Sequence, residues 1–165
     1  MRRFWIWAVL PALLGLPGWA GSADIVPQRS IGMELARDIA SAAVLACRKQ
    51  GYQVSVVVVD RSATVRAALR DDLASRFTLQ IAEEKANAVI LSGTDTGNFA
   101  RNRAAIVPQL NEVDGIMILR GGVPIEAGGY RIGAVGVSGA PGGDLDEACA
   151  RAALERFEER LEFAD

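Results

Sequence analysis

The spacing of apolar and polar residues divides the chain into helical and extended segments. Apolar residues recur at helical spacing over residues 31–50, 72–91 and 144–161. Residues 54–59 instead form a valine run that is too continuous for a strand with one wet face, so we predict a buried central strand. Residues 64–69 follow after a short turn and predict a second strand, paired with the first in a hairpin.

Paired glycines organise the C-terminal half of the chain. Gly121-Gly122 and Gly128-Gly129 separate three short apolar segments, a pattern typical of a three-stranded meander. The segments are residues 115–119, 123–127 and 130–137. With a short helix before the meander, the order is helix, two strands, helix, short helix, three strands, helix. Hairpin-linked strands in this order predict an α/β (α+β) fold, with a five-stranded antiparallel sheet and helices packed on its faces.

The N-terminus has the three zones of a secretory signal. Arg2 and Arg3 begin the chain, an apolar run follows, and small residues come next, with cleavage after Ala20 or Ala23 fitting equally well. Two prolines interrupt the apolar run, which is shorter than the roughly 20 residues that a spanning helix needs. We therefore predict a signal peptide over residues 1–23 and no stable membrane insertion after its cleavage.

The remaining residues, 24–165, have the usual size of a single domain, and no linker divides them. The formal net charge of the whole chain is -2, and it becomes more negative when Arg2 and Arg3 leave with the signal. Two lysines and no basic tract argue against a nucleic-acid partner. These features predict an exported protein, located in the periplasm.

Cys47 and Cys149 are the two cysteines of the chain. An exported protein meets an oxidising compartment, where two cysteines have one way to pair. The alternative is that both are small buried side chains within alanine-rich helices. The sequence leaves both interpretations open.

The chain contains no histidine. This excludes histidine-based triads, the common histidine zinc motifs and the usual general base at neutral pH. Acidic residues near the C-terminus alternate with arginines at helical spacing, as on a solvated helix face. We therefore assign no catalytic and no metal-binding residue, and a binding function is favoured over histidine-dependent catalysis.

Three cationic residues stand out by position. Lys85 falls on the apolar side of the second predicted helix, where its stem would cross to a polar pocket or a carboxylate, unless it lies at the edge of that side. Arg70 and Arg120 are at or near predicted strand ends and are candidates to bind carboxylates.

Several short motifs between residues 33 and 157, taken together, resemble those of one protein family. They are Ser-Val-Val-Val-Val-Asp at 55–60, Arg-Asp-Asp at 70–72, Glu-Lys-Ala at 84–86, Gly-Gly-Val-Pro at 121–124 and Ile-Gly-Ala-Val-Gly-Val-Ser-Gly-Ala at 132–140, followed by Asp-Glu at 146–147. Together they resemble the GlcG/HbpS-like family. The segment at 132–140, with the helix start behind it, is the most specific of them.

The resemblance implies a profilin-like fold, a homo-oligomer and, in some members, haem binding. Several members carry a histidine just before the threonine that corresponds to Thr78, where this chain has Phe77. Haem would then bind without the usual imidazole, through Tyr130, Tyr52, Met117, a thiolate or no strong ligand.

We predict a ligand pocket between the middle helix and the meander, with cationic residues for the carboxylates of a haem or a related tetrapyrrole. Its residues are Arg70, Phe77, Thr78, Ile81, Lys85, Arg120 and Tyr130.

Three functions follow from these observations. The first is an exported small-ligand-binding protein. The second is a cofactor-dependent haem-degrading or redox enzyme, with Asp71 and Lys85 as acid and base. The third is an accessory subunit whose role is protein contact.

Overall fold

The computed structural model describes residues 24–163, so the predicted signal peptide lies outside the described residues. Within this range no helix combines the length and the apolar character needed to cross a bilayer. The helices are α1 (Met33–Lys49), α2 (Phe77–Ser92), α3 (Thr96–Asn102), α4 (Val107–Leu110), α5 (Gly143–Arg156) and α6 (Glu158–Glu162). The strands are β1 (Ser55–Asp60), β2 (Val65–Arg70), β3 (Gly122–Ala127) and β4 (Tyr130–Ser138).

The four strands form one antiparallel sheet in the order β2-β1-β4-β3. The predicted hairpin of β1 and β2 is present, and β1 lies in the interior of the sheet with all six residues buried. Ser55 of β1 stands between Arg70 of β2 and Ser138 of β4 in the register. The mixed α+β class with an antiparallel sheet is therefore confirmed.

The predicted fifth strand is wrong, because residues 115–119 pack on helices instead of joining the sheet. The Met117 amide donates to the carbonyl of Glu84 in α2 at 3.2 Å, and the Ile118 amide donates to the side chain of Asn111 at 2.8 Å. Ile118 is buried against the outer side of α2. The meander is thus a hairpin of β3 and β4, and the element order has four strands among residues 24–163.

The valine run of β1 is buried from both sides because helices cover both faces of the sheet. Val54, Val56 and Val58 belong to the larger core with α1 and α5, whereas Val57 and Val59 face α2. This two-sided burial explains why the strand is continuously apolar and does not alternate.

Helix α2 lies directly on the sheet, because glycines in β3 and β4 leave room for its backbone. A Cβ atom on Gly136 would lie 1.9 Å from the carbonyl oxygen of Ala82. A Cβ atom on Gly122 would lie 2.5 Å from the carbonyl oxygen of Lys85. Gly122 and Gly136 therefore serve close packing against α2.

A disulfide joins α1 to α5 in the structure. Cys47 and Cys149 are both fully buried, their Cα atoms are 5.4 Å apart, and 102 positions separate them in the sequence. Because the two helices pack against each other on the same face of the sheet, the bond closes most of the domain into one loop.

Removal of this bond tests its contribution. We expect the Cys47→Ala/Cys149→Ala variant to lose about 3–5 kcal/mol of unfolding free energy, because a loop of this length constrains the unfolded chain strongly. Urea denaturation with and without reductant measures the loss. The same variant also controls for other effects of the reductant, because it has no disulfide and its stability should not change when reductant is added. Two free thiols in the intact mass of oxidised, unreduced wild-type protein would contradict the bond.

Candidate functional site

One side of α2 carries most of the predicted ligand residues. Phe77, Ile81 and Lys85 are four positions apart, and Thr78 lies beside them, so the helix brings these four side chains to one side. Exposure falls along this side: Phe77 is 59% exposed, Ile81 is half-buried and Lys85 is 1% exposed. The side therefore begins at the surface and ends in the interior.

Lys85 ends in a buried ion pair. Its Nζ atom donates to Asp146 Oδ2 of α5 and to the carbonyl oxygen of Val137 in β4, both at 2.9 Å. Burial lowers the pKa of Lys85 and raises the pKa of Asp146, and the attraction between the two groups opposes both shifts. The lysine stem thus crosses from α2 to a carboxylate, as one of the two sequence interpretations expected.

The same ion pair fixes the loop between β4 and α5. Asp146 Oδ1 accepts a hydrogen bond from the Ala140 amide at 3.0 Å, so each carboxylate oxygen has its own donor. Gly121 lies against the pair, and a Cβ atom there would be 2.9 Å from Lys85 Nζ and 2.6 Å from the Val137 carbonyl oxygen. Its φ of +123° also favours glycine. There is no room for a ligand atom between these groups.

Arg120 is next to this ion pair but is held by a different carboxylate. Its Nε atom donates to Glu147 Oε2 at 3.0 Å, and this bond raises the pKa of Arg120. Arg151 donates to Glu147 Oε1 at 2.8 Å and reaches Asp95 at 3.3 Å. The Arg120 side chain is half-exposed, but its bond to Glu147 holds the guanidinium in place.

The first turn of α2 presents an aromatic ring beneath a cation. The guanidinium of Arg76 lies 4.3 Å from the ring centroid of Phe77. Behind them, Thr78 Oγ1 donates to the carbonyl of Ser75 at 2.7 Å and is 2.8 Å from Ser55 Oγ of β1. Sequence reasoning missed Arg76, although its position directly before the exposed aromatic residue was the available signal.

Two predicted residues are not part of this arrangement. Arg70 donates to the carbonyl of Ala74 at 2.5 Å and so holds the turn before α2. Tyr130 begins β4, beside Arg131, which bonds the Val89 carbonyl in the last turns of α2. Phe77 and Val89 are separated by about 18 Å along the helix, so Tyr130 lies at the other end of α2, where Arg29 covers its ring.

The predicted acid–base pair of Asp71 and Lys85 is not assembled. Asp71 accepts hydrogen bonds from Arg48 of α1, and these bonds lower the pKa of Asp71. Lys85 is paired with Asp146 instead.

The two cysteines are joined in the disulfide, so no thiolate is offered as an iron ligand. What the site offers is an exposed apolar surface with a cation above it.

Comparison with known protein families shows which family this chain belongs to. The family model described as "Haem degrading protein HbpS-like" matches residues 31–155. The chain belongs to the HbpS-like family. A crystal structure of HbpS is 38% identical with a TM-score of 0.76, covering 81% of this chain and 94% of that one. A double mutant of Streptomyces reticuli HbpS is 36% identical with the same TM-score, covering 86% and 96%.

More distant structures share the HbpS-like fold. The Klebsiella pneumoniae protein ORFY is 26% identical with a TM-score of 0.74, over 82% of this chain and 96% of that one. A PduOC:heme complex is 22% identical with a TM-score of 0.67, over 76% and 94%, and shows a common fold alone. The search of curated proteins found no match. The recognition of this family from its sequence motifs is confirmed.

The buried ion pair is tested by a double-mutant cycle. We expect Lys85→Met to lose about 3–5 kcal/mol of unfolding free energy, because it leaves the Asp146 carboxylate buried without its cation. Adding Asp146→Asn should restore most of that loss, since the amide oxygen still accepts from Ala140. Urea denaturation measures all four corners of the cycle.

Lys49→Met is the matched control for this cycle. Lys49 is the other lysine of the chain and lies exposed in the last turn of α1. Its replacement should change stability by less than about 0.5 kcal/mol. Additive losses in the Lys85→Met/Asp146→Asn variant would show that the pair is not coupled.

Proposed function

We propose that this protein is an exported haem-binding member of the HbpS-like family, with a site at the first two turns of α2 that uses no histidine. The single observation that carries the proposal is the exposed Phe77 under Arg76, at the position where the family resemblance implies a histidine. Membership of a haem-related family supports the ligand class.

The residues present fit a flat apolar ligand with carboxylates. Phe77 is 59% exposed, and Ile81, four residues further along α2, continues the same side of the helix towards the interior. Covering large apolar side chains of this kind stabilises a complex by roughly 1.5–3 kcal/mol each. Arg76 is placed to bind a propionate, since its guanidinium already lies over the Phe77 ring.

The same residues do not fit strong coordination of iron. The chain has no histidine, and both cysteines form the disulfide. Tyr130 lies at the far end of α2, and Tyr52 packs partly buried against the core beneath the other face of the sheet. Met117 is half-buried along α2, with its backbone bonded to Glu84. Binding would therefore rest on apolar contact and on Arg76.

A second candidate function is haem degradation, which the description of the family model favours. Bound haem would supply the redox chemistry, and this chain would hold the ring and limit its contact with water. Because Asp71 is bound to Arg48 and Lys85 to Asp146, these two residues do not form the acid–base pair that the sequence suggested. Loss of the haem spectrum with ascorbate and oxygen, faster than for free haem, would support degradation over passive binding.

The site is tested by titrating the purified protein with ferric haem. We expect the Soret band of the wild type to saturate near one haem per chain. Phe77→Asp should weaken binding by about 10- to 100-fold, because it removes one large apolar contact. Phe77→His should strengthen binding and shift the band, because it supplies an imidazole.

Tyr130→Phe is the control, since it changes an exposed aromatic residue at the far end of α2. Its affinity should equal that of the wild type. A wild-type titration without saturation would overturn the haem proposal. Equal affinities for Phe77→Asp and the wild type would move the site away from α2.

Export is tested by isolating the protein from the periplasmic fraction of cells that express the full chain. Its N-terminal sequence should begin at Gly21 or Asp24, as cleavage after Ala20 or Ala23 requires. Cytoplasmic protein that begins at Met1 would contradict export.

A further inference from the structure

A groove runs beside β3, the outermost strand at one edge of the sheet. It lies between β3 and the helices α5 and α6 and has a volume of about 450 Å³. Its apolar lining includes Val123, Leu154 and Leu161. Natural proteins often cover such an edge with a loop or a helix, because an open edge invites other chains. We call this surface the β3 groove.

The rim of the β3 groove is acidic. Four exposed glutamates line it, and none of the ion pairs among residues 24–163 includes them. Arg151 also lines the groove, but it is bound to Glu147 and Asp95. A segment that carries positive groups therefore fits this rim. The four glutamates are Glu126, Glu155, Glu158 and Glu162.

The segment ahead of α1 starts at one end of this groove. The guanidinium of Arg29 lies 5.0 Å from the ring centroid of Tyr130, and its Nη1 atom would be 3.4 Å from a Cβ atom on Gly128. Gly128 and Gly129 connect β3 to β4 and also line the groove. Residues 24–28 precede Arg29, and five extended residues span roughly 17 Å, about the length of a strand such as β3. The segment is therefore long enough to run along the groove.

This segment carries groups that match the groove. Ile25 and Val26 are 83% and 72% exposed, so two large apolar side chains lie in water. Val26 precedes Pro27, and a residue before proline favours extended backbone, which lowers the entropy lost when the segment is ordered. Cleavage of the predicted signal peptide would add a positive amino terminus a few residues from Ile25 at most. That terminus and Arg29 outnumber Asp24, the one acid of the segment.

We propose that residues 24–28 of the mature chain fold back and close over the β3 groove. Ile25 and Val26 cover the apolar lining, and the new amino terminus faces the glutamates of α5 and α6. This closure rests on the signal cleavage proposed above, which creates the positive terminus. The segment and α6 both lie outside residues 31–155, the range that the family model matches. The closed segment covers the free edge of β3 and keeps other chains away from it.

Tryptophan fluorescence tests the closure, because the three tryptophans of the chain are at positions 5, 7 and 19, within the predicted signal peptide. Ile25→Trp in the mature protein therefore supplies a single reporter. The reference is a peptide of residues 24–30 with the same substitution. In the protein we expect emission at shorter wavelength and acrylamide quenching at least about twofold weaker, because the ring leaves water.

Proteins that begin at Gly21 and at Asp24 cover both cleavage sites. Emission and quenching equal to those of the peptide in both proteins would overturn the proposal.

Charge reversal shows where the tryptophan is bound. Glu155→Lys/Glu158→Lys in the Ile25→Trp protein should release the ring, because like charges then meet, and its emission should approach that of the peptide. The matched control is Glu112→Lys/Glu159→Lys, the same charge change at exposed positions that do not line the groove. The control should leave the emission unchanged. A shielded tryptophan that the groove variant does not release would contradict docking in the β3 groove.

Dilution separates closure within one chain from docking on another copy. Closure within a chain does not depend on protein concentration, so the emission should stay the same over about 100-fold dilution. A shift towards the emission of the peptide on dilution would overturn closure within the chain. Failure of export and failure of closure are distinguishable, because N-terminal sequencing measures the first and the fluorescence of directly produced mature protein measures the second.

Discussion

The buried contact of Lys85 with Asp146 is the interaction on which the rest of the structure depends. It joins α2 on one side of the sheet to α5 on the other, through the end of β4. Two charges removed from water are tolerated only when further hydrogen bonds accompany the pair, and here the ammonium also reaches the Val137 carbonyl and the carboxylate also receives the Ala140 amide. This requirement fixes the loop before α5 and forces glycine at position 121, where any side chain would displace the ammonium group.

Much of the fold could be predicted because buried segments can be recognised from their pattern of apolar residues. The uninterrupted valines of β1 indicated a strand covered on both faces, and Gly128-Gly129 marked the hairpin turn, where both residues have positive φ. The fifth strand was wrong for an equally physical reason. A short apolar segment such as residues 115–119 has the same composition whether it pairs with a strand or lies on a helix, and only the long-range contact with α2 decides.

The sequence allowed us to predict which side of α2 carries the site residues, but not which groups those residues bond to. Helical spacing sufficed to group Phe77, Ile81 and Lys85, since it depends on local geometry alone. The partner of Lys85 is 61 positions away, at the start of another helix, and no periodicity links the two. Tyr130 was placed in the pocket because its strand packs on α2, but the antiparallel register puts its beginning at the far end of that helix.

The disulfide has a consequence for how the molecule is made. Its first cysteine is in the first helix and its second is in the last long helix, 102 positions later. The bond therefore cannot form on a growing chain until nearly all of the domain has been synthesised. Until then no covalent bond links the first helix to the last long helix, and the contact between them depends on packing alone.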